Sequence, residues 1–330
     1  MLEAAPHKEP QSAPAVLMVR PARFAFNPQT SASNSFQELP RAAASAPPGS
    51  GAPGSGAPAD VQGAAVREFD ALAERLVRAG MTVIVAHDSA EPAKPDAVFP
   101  NNWVSFHRDG TIVLYPMMAP NRRLERREEL IRQVIGAGPF RVTRTVDLSY
   151  REDHGRYLEG TGSLVLDRPA RIAYACLSPR TDLDVLGEFA QQLDYELAAF
   201  EATDAAGRPV YHTNVMMAIG TGFAVICGDS ITELKRRDAV YAQLTATGHD
   251  IVEISPAQMH AFAGNILELA APGSTVIAMS TTAWGALEPR QRRALEKHGE
   301  VLTADIPVIE RCGGGGVRCM LAEVHLARRS

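Results

Sequence analysis

The chain has 330 residues, of which 45% are hydrophobic and 6% aromatic, and its formal net charge is −5. This length allows a large hydrophobic core, whereas the slight acidity and the few aromatic residues argue against a nucleic-acid-binding protein. No apolar segment approaches the roughly 20 residues that a helix needs to span a bilayer, so no membrane association is predicted.

The first residues, MLEAAPHKEPQSAP, lack the charged and apolar regions of a signal peptide, which predicts a cytoplasmic protein. Its four cysteines are then expected to be free thiols. No spacing of cysteine, histidine and acidic residues indicates a metal site, and we expect neither a metal nor a cofactor. Residues 41–60 are rich in Ala, Pro, Gly and Ser and predict a flexible loop within a single domain of residues 1–330.

Strands and helices are predicted in a recurring order along the chain. In chain order they are the strand AVLMVR, the amphipathic helix AAVREFDALAERLVRAG, the strand TVIVAHD, the hairpin WVSFH–TIVLY, the helix RRLERREELIRQVIG, the strand RVTRTVDLS, the hairpin SLVLD–RIAYACLS, a helix after Thr181, the strand YELAAFEAT, the hairpin VMMAI–FAVIC, a helix after Ser230, the strand DIVEIS, the hairpin ILELA–TVIAMS, the helix RQRRALEKHG, the strand EVLTADI and the strand CMLAEVHL. Ser230 and Glu233 have the spacing of a capping box at a helix start.

This order gives four ββαβ units, and the two ends of the chain supply the parts of a fifth. A polar turn residue precedes the first strand of each unit, at spacings of 60, 52, 51 and 54 residues: Asn102, Gly162, Asn214, Asn265 and Cys319. Periods near fifty residues are typical of propeller-like arrays. The sequence therefore predicts a five-bladed, pseudo-symmetric α/β propeller whose termini together close one blade and whose polar turns meet at its centre.

The turn before the last strand, ERCGGGGVRCML, contains four consecutive glycines. A phosphate-binding P-loop needs Lys-Ser/Thr and a helix after its glycines, but Val-Arg-Cys and a predicted strand follow here. A linker is also a poor interpretation, because the glycines lead directly into an apolar strand. Bare backbone next to a cysteine fits a nucleophile that a substrate approaches closely, although Cys319 as a small core residue is the alternative. Cys312 lies outside the repeat position and is less suited to this role.

Two other turns carry residues that complement a reactive cysteine. His212 stands in YHTN and Glu159 in LEGTG, at the corresponding turns of two other units. A thiolate and an imidazole are the minimum for covalent catalysis, since one attacks and the other moves protons. Glu159 would hold a substrate N–H group or orient the histidine. The alternative for both residues is an ordinary turn position with no chemistry.

The order LEGTG, HTN and GGGG-x-R-C-M resembles the guanidine-modifying superfamily of arginine deiminases, amidinotransferases and dimethylarginine dimethylaminohydrolases. That superfamily has a five-bladed α/β propeller fold, in agreement with the repeat. PDAVFPNN, PNRRLE and LSPRT are similar to the dimethylarginine hydrolase segments Pro-Asp-x-Val-Phe-x-Glu-Asp, Pro-Ser-Arg-Arg-x-Glu and Leu-Ser-x-Arg-Thr. The resemblance covers essentially the whole chain apart from residues 41–60.

The resemblance implies a role for each matching residue. The expected catalytic residues are the nucleophile Cys319, the general acid/base His212 and its carboxylate partner Glu159. The expected binding residues are Asp96, at the amino-acid end of the substrate, and Arg122 and Arg180, whose planar guanidinium groups suit a carboxylate.

The chain departs from the superfamily pattern where the substrate head group would bind. Asn102, preceded by Asn101, replaces the usual aspartate, and Asn214 replaces the aspartate of the deiminase His-x-Asp motif. A buried carboxylate suits a guanidinium, whereas an amide matches the donors and acceptor of a neutral urea. The sequence therefore favours citrulline as substrate, and it most resembles the citrulline-using hydrolases; Asn265 is a further candidate substrate-binding residue.

Several alternatives remain open at this point. The chain could instead act on a guanidinium as an arginine deiminase or dimethylarginine hydrolase, since succinylarginine hydrolases also carry Asn at the first position. An amidinotransferase shares the first half-reaction, and a non-catalytic ligand-binding propeller is the alternative outside enzymes. The predicted partner is a small amino-acid substrate, and the sequence leaves open a homo-oligomer.

Overall fold

The computed structural model of the chain describes residues 9–39 and 60–328. The predicted loop at residues 41–60 lies outside these ranges except for Asp60, whose side chain caps the first long helix by accepting from Gly63 N at 2.8 Å. None of the described helices combines the length and the apolarity that crossing a membrane requires.

The described residues form strands at nearly all the positions where β-branched and apolar residues alternate. The strands are β1 Ala15–Arg20, β2 Thr82–His87, β3 Val104–Phe106, β4 Thr111–Leu114, β5 Arg144–Asp147, β6 Val165–Asp167, β7 Ile172–Leu177, β8 Glu196–Glu201, β9 Met217–Ile219, β10 Phe223–Ile226, β11 Asp250–Glu253, β12 Leu267–Ala271, β13 Ser274–Ser280, β14 Glu300–Ala304 and β15 Ala322–Glu323.

These strands form five three-stranded sheets of one design, in the orders β3-β4-β5, β6-β7-β8, β9-β10-β11, β12-β13-β14 and β15-β1-β2. In each sheet the first strand pairs antiparallel with the central strand, and the third pairs parallel with it. The last sheet joins the two ends of the chain, with Leu17 opposite Ala322. The fold is therefore a mixed α/β fold built from five similar ββαβ units.

The longer helices connect the second and third strands of the units and bury one apolar face each. The helices are α1 Pro28–Ser31, α2 Val61–Arg78, α3 Pro120–Arg123, α4 Glu128–Gly136, α5 Gly160–Ser163, α6 Leu183–Leu193, α7 Thr213–Met216, α8 Leu234–Ala246, α9 Pro256–His260, α10 Thr281–Ala286 and α11 Pro289–Glu296. In α2, for example, Ala65, Phe69, Leu72 and Leu76 are fully buried at helical spacing. The short helices α5, α7 and α9 instead precede the first strands of three units.

Three local predictions were wrong. The helix expected to open at Ser230 begins instead at Leu234, because Gly228–Ser230 forms a 3-10 turn. The helix expected over RRLERREELIRQVIG is two helices, α3 and α4, because the backbone at Arg127 is extended. The strand expected to begin at Cys319 is a 3-10 turn, Val317–Met320, followed by the two-residue β15.

The five polar turns adopt short helical or turn conformations directly before the first strands, and successive turns are joined by hydrogen bonds or side-chain contacts. Thr161 Oγ1 donates to Asn101 O at 3.3 Å, and Thr213 Oγ1 donates to Ser163 O at 2.6 Å. Asn265 bridges the next two turns, as described below. The turn Val317–Met320 in turn contacts the turn Pro100–Asn102. These contacts gather side chains from all five units into one region.

Candidate active site

Cys319 lies in this region, buried and only 3% exposed. Its Sγ atom accepts from Asn265 Nδ2 at 3.2 Å and from Asn214 Nδ2 at 3.5 Å. Burial raises the pKa of the thiol, and the Asn265 hydrogen bond and the Arg318 charge oppose that rise. The sulfur therefore lies among neutral amide donors.

His212 and Glu159 form a buried pair next to the cysteine. His212 Nε2 lies 2.9 Å from Glu159 Oε2, and Nδ1 has no hydrogen-bond partner among the described residues. Burial lowers the pKa of His212 to about 4, although the Glu159 carboxylate opposes that change. The imidazole is thus neutral near pH 7, and a proton on Nε2, donated to Glu159, leaves Nδ1 as the free base.

Glu159 is itself held by several donors. Its Oε1 accepts from Met118 N at 3.0 Å, and its Oε2 accepts from Arg180 Nη1 at 3.3 Å as well as from His212. Burial alone would raise the pKa of this carboxyl group, but Arg180 and His212 hold it well below its usual value. Glu159 therefore remains a carboxylate that fixes the orientation of the imidazole.

The two predicted carboxylate binders already have protein partners. Arg122 donates to both carboxylate oxygens of Glu125 at 2.9 Å and to Asn102 Oδ1 at 2.9 Å. Arg180 donates to Ser33 Oγ and to Thr30 O at 2.7 and 2.9 Å, in addition to Glu159. Most of their N–H groups are therefore engaged within the protein.

The structure brings most of the predicted site residues to one small cavity. The predicted residues that line it are Asp96, Asn102, Arg122, Arg180, His212 and Cys319. Glu159 and Asn214 contact this set through His212 and Cys319. Asn101 is fully buried but is not part of the lining, and neither of its side-chain polar atoms has a partner among the described residues.

Two lining residues carry unpaired polar atoms in the described structure. Asn102 Oδ1 is taken by Arg122, and its Nδ2 has no partner. Asp96 Oδ2 accepts from Asn27 Nδ2 at 2.8 Å, whereas its Oδ1 has no partner. Burial raises the pKa of Asp96, and the charge of Arg122 opposes the rise. Buried polar atoms without partners are rare and indicate a place for a ligand.

The glycine run, Gly313–Gly316, allows close packing next to Cys319. A Cβ atom would come within 2.7 Å of Phe99 at Gly313 and of Asn265 Oδ1 at Gly316. Gly314 has a positive φ of 66°, which disfavours other residues. Tyr211 donates its hydroxyl to Gly314 O at 2.5 Å and thereby ties the run to the turn that carries His212.

Sequence reasoning missed the segment of residues 27–37, which covers the cavity. Asn34 lines the cavity, and Thr30 and Ser33 bind Arg180. A readable signal was present, because Asn27 followed by Pro28 is a strong helix start and does cap α1. Glu125 was also missed, although its spacing of three from Arg122 permits a helical ion pair.

The described residues contain no group of three or more His, Cys, Asp or Glu side chains placed to hold a metal ion. The side chains that meet here are a thiol, an imidazole oriented by a carboxylate, and a set of amide donors.

Several solved structures share this fold. The substrate-bound N-terminal domain of ArgZ, an arginine dihydrolase from the ornithine-ammonia cycle in cyanobacteria, matches with a TM-score of 0.68 at 16% identity over 94% of this chain and 97% of that one. Unliganded AgrE matches with a TM-score of 0.68 at 17% identity over 96% of this chain, which spans only 40% of AgrE. A dimethylarginine dimethylaminohydrolase adduct matches with a TM-score of 0.59 at 15% identity over 93% of this chain and 98% of that one. At these identities the likeness shows the fold alone.

None of the curated proteins compared with the chain matches it. The model of the eukaryotic N,N-dimethylarginine dimethylhydrolase family matches residues 20–326, which is nearly the whole chain. The chain belongs to that family, within the superfamily of arginine-modifying enzymes that the sequence motifs resemble.

Proposed function

We propose that the chain is a cysteine hydrolase that cleaves a C–N bond of citrulline and releases ornithine, ammonia and carbon dioxide. The observation that carries this proposal is the lining of the cavity. Cys319 shares it with the base His212, and the unpaired polar atom that Asn102 offers there is an amide donor. A donor pairs with the carbonyl oxygen of a ureido group, whereas a guanidinium offers only further donors.

We also propose that the five sheets close into a five-bladed propeller forming a single domain. The hydrogen bonds and contacts between successive polar turns, and the return of the last turn to the first, support this arrangement. In such a ring each unit contributes one turn to the centre, which accounts for a site built from residues so distant in sequence.

In the first half-reaction, the proton of the Cys319 thiol passes to His212 Nδ1 and the thiolate attacks the ureido carbon. The bond from that carbon to the side-chain nitrogen then breaks, and His212 returns its proton to the departing amine. Ornithine leaves, and a carbamoyl group remains on the sulfur as a thioester. Glu159 stabilises the imidazolium while it exists.

In the second half-reaction, His212 removes a proton from a water molecule that attacks the carbamoyl carbon. The C–S bond breaks, the proton on His212 returns to Cys319, and the product leaves as carbamic acid, which loses a proton to solvent to give carbamate. Carbamate then decomposes to ammonia and carbon dioxide. An N-terminal-domain variant of ArgZ has been captured covalently bound to a reaction intermediate, and this supports a covalent path on the shared fold.

We assign the amino-acid end of the substrate to Asp96, Arg122 and Arg180, which line the same cavity. Asp96 Oδ1, which has no partner in the described structure, suits the α-amino group. Arg122 and Arg180 are the cations that line the cavity and remain the proposed partners of the α-carboxylate. Asn101 would act only through the backbone turn that it shares with Asn102.

A guanidino substrate is the second candidate, because the matched family model describes a dimethylarginine hydrolase and the ArgZ neighbour is named an arginine dihydrolase. Hydrolysis of arginine through citrulline to ornithine would use the same residues twice. Transfer of the group to an amine instead of water, as in an amidinotransferase, would change only the second half-reaction.

The test is a substrate panel of citrulline, arginine, dimethylarginine, agmatine and succinylarginine, with ammonia and ornithine measured. We expect citrulline to have the highest kcat/KM, and a far higher value for arginine would refute the assignment of the substrate. Cys319→Ser should lose at least about a thousandfold in kcat, because the nucleophile is gone. Full activity in that variant would refute every enzymatic reading of the site.

Asn102→Asp tests the head-group contact itself. A carboxylate at this position would favour a guanidinium, so the ratio of kcat/KM for arginine over citrulline should rise about tenfold or more. Asn121→Asp adds the same charge on α3 outside the cavity lining and serves as the control. An unchanged ratio in Asn102→Asp would show that this amide does not distinguish a ureido group from a guanidinium.

A further inference from the structure

The nucleophile has an unusual partner, the side chain of Asn265. This residue is 1% exposed, and its Nδ2 lies 3.2 Å from Cys319 Sγ and 3.0 Å from Asn214 O. Sequence reasoning offered Asn265 as a substrate-binding residue, but the structure places it against the sulfur.

The orientation of this amide is determined by its surroundings. Asn214 O is a backbone carbonyl and can only accept, so the amino group of Asn265 must face it. Its second proton then points to Cys319 Sγ. The opposite orientation would place Asn265 Oδ1 against the carbonyl oxygen of Asn214, which costs free energy in a buried site.

The packing around Asn265 keeps the amide in place. A Cβ atom at Gly316 would lie 2.7 Å from Asn265 Oδ1, so the glycine run is what permits this close approach. Cys319 N donates to Gly316 O at 3.1 Å, which fixes the sulfur relative to the same glycine. The donor and the sulfur are therefore held by one short stretch of backbone.

Among the described residues, no cationic side chain donates a hydrogen bond to Cys319 Sγ. The charged or titratable groups around the thiol are Arg318 on its own turn, Tyr211 and His212 before α7, Glu159 before α5, Asp96 and Arg122 near the turn Pro100–Asn102, and Arg180. Only Asn265 and Asn214 place a donor at hydrogen-bond distance from Sγ in the described structure. His212 is neutral near pH 7 and supplies no positive charge in the resting enzyme.

We propose that Asn265 is a catalytic residue whose amide stabilises the Cys319 thiolate directly, by a hydrogen bond to the sulfur. A donor hydrogen-bonded to the sulfur favours its charged form and therefore favours transfer of the thiol proton to His212. The inference rests on the proposed role of Cys319 as nucleophile, and the test below uses no substrate.

The test is the pH dependence of Cys319 alkylation by iodoacetamide, followed by peptide mass spectrometry so that the other cysteines do not contribute. In Asn265→Ala the pKa of Cys319 should rise by about one to two units, with about tenfold slower alkylation at neutral pH for each unit. Gln291→Ala removes a buried amide in α11, far from the site, and should leave the alkylation profile unchanged.

Asn265→Asp provides a second variant of nearly the same volume in case the alanine variant does not fold. Its carboxylate would face the sulfur with a negative charge, so the pKa should rise further than in Asn265→Ala. An unchanged profile in either folded variant would overturn the role of Asn265. An active Cys319→Ser would overturn the proposed function instead, so the two failures are distinguishable.

Discussion

The site is closely packed at Gly162, in α5. A Cβ atom added there would lie 2.8 Å from His212 Cε1 and Nδ1 and would overlap Asn102 Nδ2 outright. Ordinary contact begins at 3.4 Å, so His212 would have to retreat by about 0.6 Å and Asn102 Nδ2 by roughly 1 Å. Gly162→Ala therefore directly displaces His212 and Asn102 in the candidate site.

Neither side chain can retreat easily. His212 is held by Glu159 and lies against the Tyr211 ring at 4.6 Å between centroids, and Asn102 is held by Arg122. Overpacking of a buried site typically costs about 1–3 kcal/mol of stability. A displacement of about 1 Å in a catalytic constellation can reduce the rate about 100-fold, which is the expected loss in kcat/KM.

Steady-state kinetics of ornithine release, together with urea unfolding, would measure both effects. Gly187→Ala is the matched control, because an added Cβ meets nothing within 4 Å and the residue lies inside α6. That control should keep full activity and gain about 0.5–1 kcal/mol of stability. If Gly162→Ala retained the kcat/KM of the unmodified protein, the positions assigned to Asn102 and His212 would be wrong.

Two further predictions concern charge. The neutral form of His212 is the proposed base, and burial lowers its pKa to about 4. The acid limb of kcat/KM should therefore fall through about pH 4 as the imidazole is protonated, and a midpoint near the ordinary histidine value of 6.5 would contradict the burial of this base. Glu125→Gln should lower the free energy of unfolding by about 3–5 kcal/mol in urea titrations, because it leaves the fully buried Arg122 without its bidentate partner. Glu129→Gln, at a half-exposed position in α4, should change stability by less than about 0.5 kcal/mol, and equal losses in both variants would argue against a special role of the buried pair.

The strands and the order of the units could be predicted from local sequence, because each strand alternates residues between two sides of a sheet. The start of α8 could not be predicted in the same way. Ser230 and Glu233 satisfy the spacing of a capping box, but the Ser230 hydroxyl lies near Cys227 Sγ and Met259 Sδ. Tertiary contacts thus decide where this helix begins.

The juxtaposition of Cys319, His212 and Glu159 could be predicted because each stands in the turn before the first strand of a unit. Asp96, Arg122 and Arg180 do not stand there, and they could be predicted only from the resemblance to the superfamily. Their partners could not, since the repeat indicates which turns meet but not which atoms face each other. Whether a donor reaches Cys319 Sγ depends on a few tenths of an ångström in the donor–sulfur distance, which is 3.2 Å for Asn265 and 3.5 Å for Asn214. Such distances are set by side-chain packing between units that are more than fifty residues apart.

The sheet β15-β1-β2 joins residues that are about 300 positions apart, and the turn with Cys319 immediately precedes β15. Contacts of such long range form late in folding, because the chain entropy must be lost before they are gained. We expect the thiol to reach its place only when this pairing forms. A substitution that disrupts only the pairing of β15 with β1 would then abolish the proposed activity while the other four sheets stay intact.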